Sequence, residues 1–145
     1  MSHVLPTCRH LLDPDVAEAL GDGSTAALGA WGEAAAARHL VADDGYSIVA
    51  RNWRPGGGHL RGELDLIGLD HLHRCVTVVE VKTRRGADRF GGAVATIPPR
   101  KQARIRALSG AYLATVRHPY GQVRLDLIAI DVGASCVLRH LRGVL

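Results

Sequence analysis

GELDLIGLD, residues 62–70, and VTVVEVKTR, residues 76–84, read as two strands joined by one short turn, and their reading decides the fold. Both are apolar runs interrupted by charge: Asp65 stands inside the first, Glu80 and Lys82 inside the second. Charge in a buried strand is costly unless something holds it. Strand side chains alternate faces, so Glu63, Asp65 and Ile67 share one face of their strand, and Glu80, Lys82 and Arg84 share one face of theirs. Adjacent strands thereby set carboxylates side by side, which raises their pKa values unless a cation lies between them. An all-oxygen donor set of Asp65, Glu80 and the Val81 carbonyl suits Mg²⁺ or Mn²⁺. Lys82 would bring a point charge to a phosphate and an attacking water. Only Lys82 and Lys101 are lysine among 18 basic residues, so a compact ammonium at Lys82 stands out in an arginine-biased chain. The competing reading of the trio is an ion pair on a half-exposed strand.

Outward from these strands, YSIVARNW (46–53) alternates as a further strand, and the three make an antiparallel meander. Before it, the segment from Ser24 through LGAWGEAAAARHLVADDG reads as a helix with a Ser or Thr cap, closing near 43–45. After the meander come a glycine-rich connector and IPPRKQARIRALSGAYLATV (97–116), which has prolines at a helix entrance and Ile105, Leu108 and Tyr112 at helical spacing. VRLDLIAIDV (123–132) is another strand, and CVLRHL (136–141) is either a short edge strand or a tail. The order α-β-β-β-α-β predicts an α/β fold with a mixed sheet flanked by helices. Residues 1–27 read as an N-terminal extension with a short helix at 13–21, and residues 28–145 as a single domain.

A chain of 145 residues, 47% hydrophobic and 22% charged, has room for one such domain. No apolar run approaches the roughly 18 residues of a membrane span, and Arg9, Asp13, Asp15 and Glu18 interrupt any leader, so the expectation is a cytoplasmic protein without a membrane partner. Cys8, Cys75 and Cys136 are odd in number and far apart, as free thiols are. Charge is segregated: residues 1–28 hold Arg9 against four acids, whereas residues 82–106 hold eight basic residues against Asp88 alone. A basic field of that kind attracts polyanions. Arg84, Arg85, Arg100, Lys101 and Arg104 are the candidate phosphate contacts, with a solvated basic face as the plainer alternative.

Glu33 lies in a stripe of small residues (Gly29, Ala30, Ala36, Ala37) on the first helix, the face expected to approach the sheet, and is a third candidate carboxylate. LDLI recurs at 64–67 and 125–128, which makes Asp126 a secondary candidate, although pairing with Arg124 or another basic residue is its expected role. His71, His73 and Cys75 fall in a turn without a fourth ligand, a poor zinc site.

Taken in order, WGEAAAARHL, RNWR, GELDLI, VVEVKTR, IPPRKQARIRALSGAYL and VRLDLI resemble the YraN-like proteins, a small bacterial family assigned to the PD-(D/E)XK nuclease superfamily and similar to archaeal Holliday-junction resolvases. The resemblance covers about residues 28–132, with Leu64 where the superfamily's name motif has proline. It implies a restriction-endonuclease-like fold and a metal-dependent endonuclease, in which water attacks a phosphodiester in line. Asp65, Glu80 and Val81 would hold Mg²⁺ or Mn²⁺, and Glu33 and Lys82 would complete the catalytic set. Branched or structured DNA and a homodimer are further implications. The alternative is a nucleic-acid-binding module of the same fold without turnover.

Overall fold

The computed structural model of the chain describes residues 8–12, 24–85, 97–133 and 135–145; the short helix expected at 13–21 and most of the glycine-rich connector lie outside the described residues. Ser24 caps α1 (Thr25–Ala42): its backbone is extended and its hydroxyl accepts the Ala27 N–H at 3.1 Å, satisfying a first-turn donor. The chain leaves the helix at Gly45, whose φ of +69° suits a residue without Cβ, and the Tyr46 N–H turns back to the Leu40 carbonyl at 2.8 Å. In α2 (Pro99–Leu113), Pro98 is the extended cap residue and Pro99 the first helical one, where no N–H is needed.

Six strands form one mixed sheet: β1 (Cys8–Leu12), β2 (Ser47–Trp53), β3 (Leu64–Asp70), β4 (Cys75–Arg85), β5 (Gln122–Val132) and β6 (Cys136–Leu141), in the order β1-β6-β5-β4-β3-β2. The meander β2-β3-β4 is antiparallel as expected, and β5 runs parallel to β4 because the α2 crossover returns the chain to the same end of the sheet. Residues 136–141 form a strand inside the sheet: β6 pairs antiparallel with β5 on one side and with β1 on the other. β1 comes from the segment read as an extension, where five residues are too few to show a hydrophobic period.

Helices cover both faces. Leu28, Ala35, Ala36 and Leu40 of α1 pack with Leu66, Val79, Ile128, Ile130 and Leu138, while Ile105, Leu108 and Tyr112 of α2 pack with Ile67, Val76 and Val78. The alternation along β4 assigns its charged residues: Val79 faces α1, so Glu80 and Lys82 share the α2 face with Val76 and Val78. The buried side of α1 runs through Leu28, Gly32, Ala35 and Ala36, with Ala30 exposed, so Glu33 borders the small-residue face and does not centre it.

β3 and β4 pair only from Asp70↔Cys75 to Leu66↔Val79; beyond that point β4 runs on to Arg85 against β5 alone. The two charged stretches therefore part company where their acidic residues begin.

Candidate functional site

The parting of β3 and β4 leaves backbone donors without a strand partner, and the Asp65 carboxylate takes one of them, accepting the Val81 N–H at 2.8 Å. Glu80, only 4% exposed, stands beside it. Burial pushes the Asp65 carboxyl up to about 8, the charges of Glu80 and Glu33 act in the same direction, and the Val81 N–H opposes them.

Glu33 reaches the split because α1 approaches β4 closely. A Cβ on Gly32 would lie 1.8 Å from Oγ1 and 2.9 Å from Cβ of Thr83, so only glycine fits there. Oxygens of Glu33, Glu63 and Asp65 then lie within 4.8 Å of one another. Asn52, at the end of β2 with φ +48°, ties two of these acids together: its Nδ2 donates to Glu33 Oε2 at 3.0 Å and to Glu63 Oε1 at 2.8 Å. Arg54 Nε donates to Glu63 Oε2 at 2.7 Å, and these donors hold the Glu63 carboxyl below its ordinary range. Glu63 joins the set from a position two residues before Asp65, a spacing legible in the sequence, whereas nothing in the sequence around Asn52 signals its role.

Glu80 is ion-paired with Lys101, in the first turn of α2. Lys82 is partly buried and forms no ion pair with another described residue. Arg84 is partly buried and Arg85, Arg100 and Arg104 are exposed. The Arg104 stem lies against Gly62, where a Cβ would come within 3.2 Å of its Cδ. Beside Glu63 opens a cleft of about 450 Å³ lined by Arg54, Pro55, Leu60, Arg61, Gly62 and Glu63.

Asp126 belongs to a different network. Fully buried on β5, it accepts Arg124 Nε at 2.8 Å and Nη2 at 2.9 Å, the Gly143 N–H at 2.9 Å, and meets His140 Nε2 at 2.8 Å. Burial alone would raise its carboxyl, but His140 and Arg124 hold it below the ordinary range. Arg124 also reaches Asp70 at 2.9 Å and the Tyr46 hydroxyl at 2.6 Å, which in turn donates to Asp70 at 2.8 Å. The expected pairing with Arg124 is thus what Asp126 does. His71 bonds Ser47 and Tyr120, and His73 bonds Asp70, so these turn histidines do not converge on Cys75.

Residues 32–130 match the family described as "Uncharacterised protein family UPF0102". A UPF0102 protein of Mycobacterium sp. (strain JLS) is 42% identical over 121 residues, 82% of this chain and 85% of the relative. UPF0102 proteins of Mycobacterium ulcerans (strain Agy99) and Mycobacterium tuberculosis (strain ATCC 25177 / H37Ra) are each 41% identical, over 81% of this chain and 93% and 91% of their own lengths. With the match spanning the carboxylate site, the second half of α1 and all of α2, the chain belongs to the UPF0102 family.

Proposed function

We propose that this protein is a divalent-metal-dependent nuclease of the PD-(D/E)XK type that hydrolyses phosphodiesters in DNA. The observation that carries the reading is the gathering of Glu33, Glu63 and Asp65 at the point where β3 leaves β4, with Glu80 beside Asp65. Glu63 and Glu80 have cationic partners in Arg54 and Lys101, while the Asp65 carboxyl is lifted first by burial and then by the charges of Glu80 and Glu33. The donors are all oxygen, which fits Mg²⁺ or Mn²⁺ better than a softer ion.

Asp65, Glu80 and the Val81 carbonyl would hold the ion, with Glu33 and Glu63 at its margin. When bound, it supplies Lewis acidity toward a phosphoryl oxygen and a lowered pKa for water. Glu33, its carboxylate fixed by Asn52, orients the attacking water by accepting its proton in a hydrogen bond. Lys82, sharing a strand face with Glu80, stabilises the negative charge that grows on the phosphoryl oxygens. Arg84, Arg85, Arg100 and Arg104 contact flanking phosphates. Aromatic residues are only 4% of the chain, which argues for readout of backbone and shape over base stacking. Branched or structured DNA fits that mode, and a substrate with two-fold symmetry favours a homodimer.

A second reading, a DNA-binding module without turnover, is favoured by one observation: Lys101 already supplies Glu80 with a cation. One experiment separates the two. Labelled single-stranded, duplex, flap and four-way-junction DNAs are incubated with Mn²⁺ and wild type, Glu80→Ala or Lys82→Ala. Cutting by wild type that both variants lose supports the nuclease. Equal binding by all three with no cutting removes it in favour of the binding module.

A further inference from the structure

Three donors converge away from the proposed nuclease site: His39 from the last turn of α1, Asp44 just past that helix, and His140 from β6. His39 Nε2 lies 3.4 Å and His140 Nδ1 3.2 Å from the same oxygen, Asp44 Oδ2, and one donor atom from each of the three residues lies within 4.8 Å of the others. Both rings are buried, 4% and 0% exposed, and meet edge to face with centroids 5.6 Å apart.

We propose that His39 Nε2, His140 Nδ1 and Asp44 Oδ2 form a second metal site, for a first-row transition-metal ion that by donor chemistry is Zn²⁺.

The distances distinguish inner from outer contacts. Tetrahedral ligands about 2.0–2.1 Å from Zn²⁺ stand roughly 3.3 Å from one another, which the 3.2 and 3.4 Å separations match. The His140 Nδ1–Asp44 contact is also a hydrogen bond at the long end of the N–H···O range, whereas charge-assisted pairs are shorter, about 2.7–2.9 Å. That shorter length occurs on the opposite nitrogen of each ring: His39 Nδ1 to Asp43 at 2.9 Å and His140 Nε2 to Asp126 at 2.8 Å. A carboxylate on the far nitrogen of a metal-binding histidine fixes its tautomer and turns its lone pair inward. The same oxygen, Asp44 Oδ2, also accepts Arg142 Nη2 at 2.8 Å, so a bound ion would share it with that guanidinium. Asp44 also lines a cavity of about 130 Å³ with Asp43, Tyr46, Asp70, Leu72, His73 and Arg142. The set pairs two imidazoles with one carboxylate, the mixture that suits Zn²⁺ and its first-row neighbours, unlike the all-oxygen group at the β3–β4 split. Occupancy would pin the end of α1 to β6, linking residues about a hundred positions apart in sequence.

The test uses the full chain carrying Asp65→Asn and Glu80→Gln, so that ions at the split are not counted. After chelation and dialysis, Zn²⁺ is titrated by calorimetry and Co²⁺ by visible absorption. The expected result is one equivalent of Zn²⁺, intense tetrahedral Co²⁺ bands without a thiolate charge-transfer band, and loss of at least about 100-fold in affinity in His39→Asn. Asp126→Asn, which leaves all three proposed ligands in place while weakening the outer partner of His140 and the Arg124 pair, should weaken Zn²⁺ about 10-fold. Absence of stoichiometric Zn²⁺ binding overturns the proposal. So does a thiolate band, or a His39→Asn variant that binds as before. Because the Co²⁺ spectrum needs no change at the histidines, a variant that fails to fold leaves the test intact.

Discussion

Glu80 of β4 is neutralised by Lys101 from the first turn of α2, not by Lys82, which lies two residues along its own strand face. A cation supplied from another element can be withdrawn by a single substitution while the strand and its carboxylates stay in place. Lys101→Met should therefore tighten Mn²⁺ binding, roughly 5- to 10-fold, by freeing Glu80. It should also destabilise the metal-free protein by roughly 3 kcal/mol, since a nearly buried carboxylate loses its partner. Calorimetric titration and urea unfolding on one preparation check both. A variant whose Mn²⁺ affinity falls would make Lys101 an aid to the site and not a competitor.

The lifted Asp65 carboxyl makes the metal-free protein sensitive to base. Its folded pKa, about 8, exceeds the ordinary value of 3.8, so the folded state holds a proton that the unfolded chain releases. The contribution to stability is complete below about pH 4 and is lost as pH rises through 8. Asp65→Asn, which needs no proton to be neutral, should gain on wild type by an amount that grows between pH 5 and pH 8.5. Urea unfolding of the two proteins at both pH values, with chelator present, measures the difference. A constant difference would contradict the burial argument.

Asp70 behaves in the opposite sense. Although burial works against it, the His73 N–H, Tyr46, the His73 ring and Arg124 hold its carboxyl down to about 2. A folded pKa below the unfolded one gives stability that is present above about pH 4 and lost as pH falls through 2. Asp70→Asn should cost roughly 2 to 4 kcal/mol at pH 7, because Arg124 keeps Asp126 but loses a second carboxylate. Much of that deficit should vanish near pH 2. Thermal melts across pH 2–7 decide it, and a deficit that stays constant would locate the effect in packing instead of charge.

Two glycines of α1 should respond oppositely to one methyl group. Gly32→Ala drives a Cβ to within 1.8 Å of Thr83 Oγ1 and should cost about 1 to 3 kcal/mol, displacing Glu33 with the helix. Gly29→Ala meets nothing within 4 Å and should stabilise by about 0.5 to 1 kcal/mol through helix propensity. Denaturant midpoints give the signs. Equal effects would remove close α1–β4 approach as the reason for glycine at 32.

Local signals in the sequence determined the elements: the Ser24 cap, the Pro98–Pro99 entrance, the strand alternation through Asp65 and Glu80, and the Arg124–Asp126 pair that close spacing brings together. Capping, proline geometry and side-chain period act over a few residues, so they can be read along the chain. Glu33, Asp65 and Glu80 were legible because each carries charge where an apolar face was due. Tertiary structure alone decided which partners those charges find. The halt of β3–β4 pairing at Leu66↔Val79, the meeting of Lys101 with Glu80, and the convergence of His39 and Asp44 on His140 each depend on strand register and on crossovers that bring remote segments together. The same holds for β1, whose backbone hydrogen bonds are completed by β6 from the far end of the chain and which has no periodic pattern of its own to announce it.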